Sequence, residues 1–212
     1  MQIDSTASNT LNLTDIIYND LLNKLQTSEL APGTLIDRKE LARKYNVSMA
    51  PIRDALQRLS LEGFIETHSR SATVVKAVQK EDIFGFMVLR EALESQAIRI
   101  TSKDSLVAEK DNLMELAKAM DSCVRIMDYW QADIAFHKHL VSLTKCNRLI
   151  NTYEQIMNIG FFYQVNSYFA RMDTSLCDSH VRLLNHLLTC NKDDAERAIR
   201  QHLNVGKMFF VD

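Results

Sequence analysis

The sequence predicts a mainly α-helical protein in two parts: a small N-terminal part of helices with a short β element, then an antiparallel all-helical bundle of about six helices. Three observations carry that expectation. Apolar residues make up 46% of 212 residues, enough for packed cores. Only 5 Gly and 2 Pro occur, too few for the many tight turns of a sandwich or barrel. Helical spacing of apolar side chains dominates, and β-prone runs are confined to residues 64–67 and 72–75.

In chain order, residues 1–13 are polar and rich in Ser, Thr and Asn, without a basic start and apolar run, and so read as a loose leader rather than a signal peptide. Thr14 is a plausible cap for a first helix carrying Leu13, Ile16, Ile17, Leu21, Leu22 and Leu25, which stops at Ala31-Pro32-Gly33. A short helix follows from Asp37 through Lys44, broken by Asn46. Ser48 then opens another, with Ile52, Ala55, Leu56 and Leu59 turned inward, ending at Gly63. Phe64 to Thr67 and Ala72 to Val75 flank a polar tip and predict a two-stranded wing, completing a winged helix-turn-helix over residues 14–77. Residues 78–212 form the second domain, with helices expected near 81–101, 105–120, 123–144, 148–170, 173–190 and 193–210 and no strand. The junction has no Gly/Ser/Pro linker, which predicts closely held domains.

The net charge of −2 argues against a protein that coats nucleic acid non-specifically, but the charge is unevenly spread. Between residues 35 and 76, Arg38, Lys39, Arg43, Lys44, Arg53, Arg58, Arg70 and Lys76 outnumber Asp37, Glu40, Asp54, Glu62 and Glu66. Cys123, Cys146, Cys177 and Cys190 follow no CxxC spacing and read as reduced thiols of a cytoplasmic protein. No run of 18 apolar residues suggests a membrane span.

The segment LIDRKELARKYNVSMAPIRDALQRLSLEGFIETHSRSATVV resembles the winged helix-turn-helix of the GntR family of bacterial transcription regulators, with the spacing of both helices and the wing approach kept. The resemblance implies operator DNA as a partner, with Lys39 and Arg53 in contact with it and Arg70 at the wing tip. A recognition helix opening at Ser48 turns its first amides and side chains toward the major groove. Relatives often carry Arg and Thr after that Ser, where this chain has Met49 and Ala50. Met49 cannot make a bidentate contact to guanine, so the family's commonest operator is not carried over. Ser71 also replaces a usual Gly in the wing.

In the second domain Asp133 and His137 stand four apart, one above the other on a helical face. His180 and His202 fall in the last two expected helices, where antiparallel packing can return them to that face. Three imidazoles and a carboxylate suit Zn, Ni or another divalent first-row ion. Spacing alone leaves open that these are hydrogen-bonded core or surface histidines. The segments DIAFHKHLV, DSHVRLLNHLL and AIRQHL resemble the FadR C-terminal domain, the FCD subfamily of GntR regulators. That resemblance implies a divalent metal held by Asp133, His137, His180 and His202, often anchoring a small organic acid. VLREALESQAIRI resembles the subfamily's first helix and implies that Arg90 faces the effector, where it would suit a carboxylate. An intrahelical Arg90–Glu94 pair is the alternative. His139 and His186 read as surface or packing residues, and Phe136, Met157, Phe161, Phe162, Tyr163 and Tyr168 as core, with the wall of an effector cavity as the alternative.

The function expected is a homodimeric, ligand-responsive repressor, because one winged module buries too little surface for tight specific binding. A regulator in which the metal is itself the signal is an alternative. A metal-dependent hydrolase is the rival from another class, but no HExxH or comparable element is present and no general base is evident beside the ligands. A non-enzymatic role is therefore expected.

Overall fold

The structure is a computed structural model describing residues 12–68, 72–167 and 179–207. Its contacts divide into two units, one ending at Ala77 and the other beginning at Val78.

The first unit opens with α1 (Leu13–Gln26), whose N-cap is Asn12 and not Thr14: the Asn12 side chain accepts the Asp15 N–H at 2.9 Å. An Asn two residues earlier can reach the first-turn amides, whereas Thr14 is already helical. Asp37 caps α2 (Arg38–Tyr45) by accepting the N–H groups of Lys39 and Glu40. Asn46 stops that helix in the left-handed region at φ 52°, a conformation Asn tolerates well. α3 (Met49–Leu61) follows, packs on α1 and buries Ile52, Ala55, Leu56 and Leu59, as α1 buries Ile17, Leu21 and Leu25.

The sheet has three strands, where the sequence predicted two. β1 (Leu35–Ile36), β2 (Ile65–His68) and β3 (Ala72–Val75) are antiparallel in the order β1-β3-β2, with Leu35 opposite Val74 and Ile65 opposite Val75. A two-residue strand is too short to show alternation, so β1 has no periodic signal. Pairing and the burial of Ile36 define it instead. Arg38 ties the start of α2 to this sheet, donating from Nε and Nη2 to the buried Thr73 hydroxyl at 3.0 and 2.7 Å.

The second unit consists, among its described residues, of α4 (Lys80–Ile100), α5 (Lys103–Ala108), α6 (Lys110–Asp121), α7 (Ile126–Ser142), α8 (Asn147–Val165), α9 (His180–Thr189) and α10 (Lys192–Lys207). The single helix expected over 105–120 is two. Ser102 caps the first, and the chain turns at Glu109, which Asn112 and His139 hold by side-chain contacts at 2.8 and 3.1 Å. Neither Gly nor Pro marks that break.

α9 also starts later than expected, because Ser179 is extended and caps it by accepting the Arg182 N–H. Residues 168–178, which include Tyr168 and the expected start of that helix, lie outside the described residues. α4 packs on α7, α8 and α10, while α6 packs on α7 and α9, around a core that includes Leu113, Met120, Phe136, Leu184 and Ile199. Gly160 lets α8 approach α4 closely: a Cβ there would stand 2.1 Å from the Phe86 ring.

Candidate functional site

Asp133, His137, His180 and His202 are all buried, and one ligand atom from each lies within 4.8 Å of the others. α7 supplies Asp133 and His137 one turn apart, α9 supplies His180 as its first residue, and α10 supplies His202. The Nε2 of His180 is the hub. It lies 3.1 Å from His137 Nε2, 2.8 Å from His202 Nε2 and 3.3 Å from Asp133 Oδ1. His137 Nε2 is 3.4 Å from the same Asp133 oxygen.

One ring nitrogen carries either one hydrogen or one lone pair, so His180 Nε2 cannot satisfy three such neighbours by hydrogen bonding alone. A single cation answers the arrangement better. Ligand atoms about 2.1 Å from a first-row ion stand about 3.0–3.4 Å from one another in octahedral or tetrahedral geometry, close to the 2.8–3.4 Å separations here. The donors present therefore fit a divalent ion.

The protonation states fit too. Burial holds the His180 imidazole below its usual range despite the opposing pull of Asp133. Burial, reinforced by His180 and His137, holds His202 well below it. Burial would raise the Asp133 carboxyl, but Arg90 and His137 overcome it and hold the group well below its ordinary value. Neutral imidazoles and an ionised carboxylate are the forms that bind metal.

Around these four stands a second ring of polar groups. Arg90 on α4 pairs with Glu94 Oε1 through Nε at 2.7 Å and with Asp133 Oδ2 through Nη1 at 2.9 Å. The intrahelical pair thus forms, and the same guanidinium also reaches the carboxylate of the cluster. Its buried Nη2 has no hydrogen-bond partner among the described residues. Tyr153 of α8 donates to Glu94 Oε1 at 2.8 Å. Asp121 takes the His180 N–H at 2.9 Å and the Ser179 hydroxyl at 2.5 Å, fixing the start of α9. Phe136 packs edge-on against the rings of His137 and His180. His139 meets Glu109 at 3.1 Å and His186 is exposed, both outside the cluster.

Sequence reasoning named Glu94 only as a partner of Arg90 and missed Tyr153 and Asp121. A signal for Glu94 exists: Arg90 and Glu94 fall on the stripe of α4 that otherwise buries Ile83, Phe86, Met87, Ala97 and Ile98. Charged residues on a buried stripe require partners. Asp121 carries no such mark, since it closes a helix like many exposed acids.

Residues 13–75 match the family described as bacterial regulatory proteins, gntR family, and residues 86–205 match the FCD domain. The chain belongs to the GntR family of transcription regulators, in its FCD-domain branch. YdhC of Bacillus subtilis, an HTH-type transcriptional regulator, is 24% identical over 193 residues, covering 88% of this chain and 86% of its own. The HTH-type transcriptional repressor RspR of Escherichia coli is 23% identical over 210 residues, covering 96% and 91%. A GntR regulator from a Rhodococcus species shares the fold, with TM-score 0.73 and 19% identity over 95% of this chain and 98% of that one.

In this GntR-family chain, Lys39, Ser48, Met49, Ala50 and Arg53 are all exposed on α2, on α3 or at the start of α3. The Ser48 side chain makes no capping hydrogen bond to α3. The Arg53 side chain is 70% exposed, with Asp54 3.7 Å away. Arg70 lies outside the described residues. Among those residues, no helix is long and apolar enough to cross a membrane.

Proposed function

We propose that this regulator is a cytoplasmic, homodimeric repressor, not an enzyme, whose C-terminal domain (residues 78–212) holds a divalent ion and through it a small carboxylic-acid effector. The observation that carries the reading is the convergence of three imidazole Nε2 atoms and one Asp133 oxygen on a single point. Zn and Ni suit that donor set. Such an ion, when bound, would supply open coordination positions to an acid oxygen. Arg90 would orient the acid, because its buried Nη2 lacks a partner among the described residues and guanidinium pairs well with carboxylate.

The N-terminal domain (residues 14–77, after a leader over 1–13) would grip the operator through the opening of α3. There Ser48, Met49 and Ala50 face the major groove and Arg53 reaches a base or phosphate. Lys39 would hold backbone phosphate, with Arg70 at the wing tip. The repressor reading is supported by the relative RspR, which carries that description. Two winged domains on successive half-sites supply the buried surface that one lacks.

The burial of all four ligands also favours a second reading, in which the ion itself is the signal. One experiment separates the two. Metal content is measured on untagged protein, and small carboxylic acids are then screened for thermal shifts with and without chelator. About one ion per chain and an acid-induced shift abolished by chelator are expected. Full metal content in His137→Ala and His202→Ala proteins would remove the ligand set. Operator affinity that responds to metal alone, with no acid effect, would favour the second reading.

A further inference from the structure

Glu94 does more than neutralise Arg90. Its Oε1 is used by Arg90 and Tyr153, at 2.7 and 2.8 Å. Its Oε2 lies 2.6 Å from Nδ1 of His137, the ring nitrogen opposite the one that faces His180, in a contact bent from the ideal line. Both atoms are buried, and neither has a hydrogen-bond partner of good geometry among the described residues, which leaves this close contact to each. Each is therefore the group the other has to use. A carboxylate can only accept, so the Nδ1 beside it must carry the hydrogen. The lone pair of His137 is then left on Nε2, pointed at the cluster.

From this we infer that Glu94 is a positioning residue of the metal centre: it fixes the His137 tautomer and orientation that metal binding requires. The inference rests on the metal reading above. Among the described residues His180 has no equal support, because the carboxylate that approaches its buried Nδ1, Asp121, is 3.9 Å away. Glu94 consequently serves one ligand selectively. It also joins that ligand to Arg90, so the ion and the group proposed to hold the acid share one buried carboxylate.

The test is Glu94→Gln in the full chain. The amide keeps the shape but can turn its NH2 toward Nδ1, which would move the ring hydrogen to Nε2 and block coordination. Zinc affinity measured by competition with a chromophoric chelator is expected to fall about 10–100-fold, the usual effect of removing an outer partner of a metal-bound imidazole. Nitrogen NMR of the metal-free chain is expected to show His137 losing its single Nδ1–H tautomer, which a merely structural change would not produce.

Because Glu94→Gln also leaves Arg90 short of a partner, the same comparison is made in an Arg90→Met background. The same loss is expected there, and that pair decides the matter if the single variant does not fold. Unchanged affinity in Glu94→Gln overturns the inference, as does a loss that vanishes in the Arg90→Met background, since Glu94 would then act only through Arg90. A parent chain that binds no zinc overturns the metal reading and this inference together. Binding by the parent with no effect of the variant overturns this inference alone.

Discussion

His180 begins its helix and is placed from outside it, by Asp121 at the end of α6. With His202 it forms a pair of buried imidazoles held below the usual range, which sets the direction of a pH effect in the metal-free chain. A histidine in the unfolded chain takes a proton near pH 6.5, roughly its ordinary value, before the folded one does. The folded pKa is the lower, so these groups contribute stability above the unfolded value and lose it as pH falls through the folded one. Glu94, held at about 2 against an ordinary 4.5 because His137 and Arg90 outweigh its burial, acts in the same direction at lower pH. The thermal midpoint of chelator-treated protein should fall between about pH 7.5 and about pH 5. A flat or rising midpoint would mean that the imidazoles are not held neutral. Of this site, the four converging residues were legible in the sequence from the four-residue step of Asp133 to His137 and from the FCD-like segments. Asp121 was not, because its role depends on α6 ending where α9 begins, a relation of two helices far apart in the chain.

At the scale of the element, α3 has an inward face of Ile52, Ala55, Leu56 and Leu59 and an exposed Arg53. Replacing Arg53 with Ala leaves the buried face intact. It should weaken operator binding at fixed salt by about 1–3 kcal/mol if the contact is to a base. Parent-like affinity in a gel or anisotropy titration would remove Arg53 from the interface. The α4–α8 contact makes a second prediction. Gly→Ala inside a helix ordinarily stabilises, by about 1 kcal/mol. At Gly160 the added methyl would meet the buried Phe86 ring, so Gly160→Ala should instead destabilise by roughly 1–3 kcal/mol, as overpacking does. Denaturant titration reads the sign directly, and a stabilised variant would show that Phe86 has room to move. Helices were legible wherever a cap or an apolar stripe marked them. The division at Glu109 and the strand β1 were not, because Glu109 meets the distant His139 at the first and pairing with β3 makes the second.

For the whole molecule, the proposed function makes a thermodynamic demand that does not depend on any particular path between the units. If the acid changes operator affinity by some factor, operator DNA must change acid affinity by the same factor. Titrating acid into the chain with and without operator, and operator with and without acid, should close that cycle within error. Unequal factors would show that another ligand or a change of assembly intervenes. The buried trio of Arg90, Glu94 and Asp133 adds a rule about sequence of events. One guanidinium beside two ionised carboxylates gives these three groups a single surplus negative charge. If the proposed ion and acid bind here, an acid anion arriving first would meet repulsion. A divalent ion arriving first would invert the surplus to a single positive charge, which one carboxylate would cancel and two would overshoot. On that count loading would be ordered, ion before acid, and the site would favour monovalent anions over those that bring a second charge.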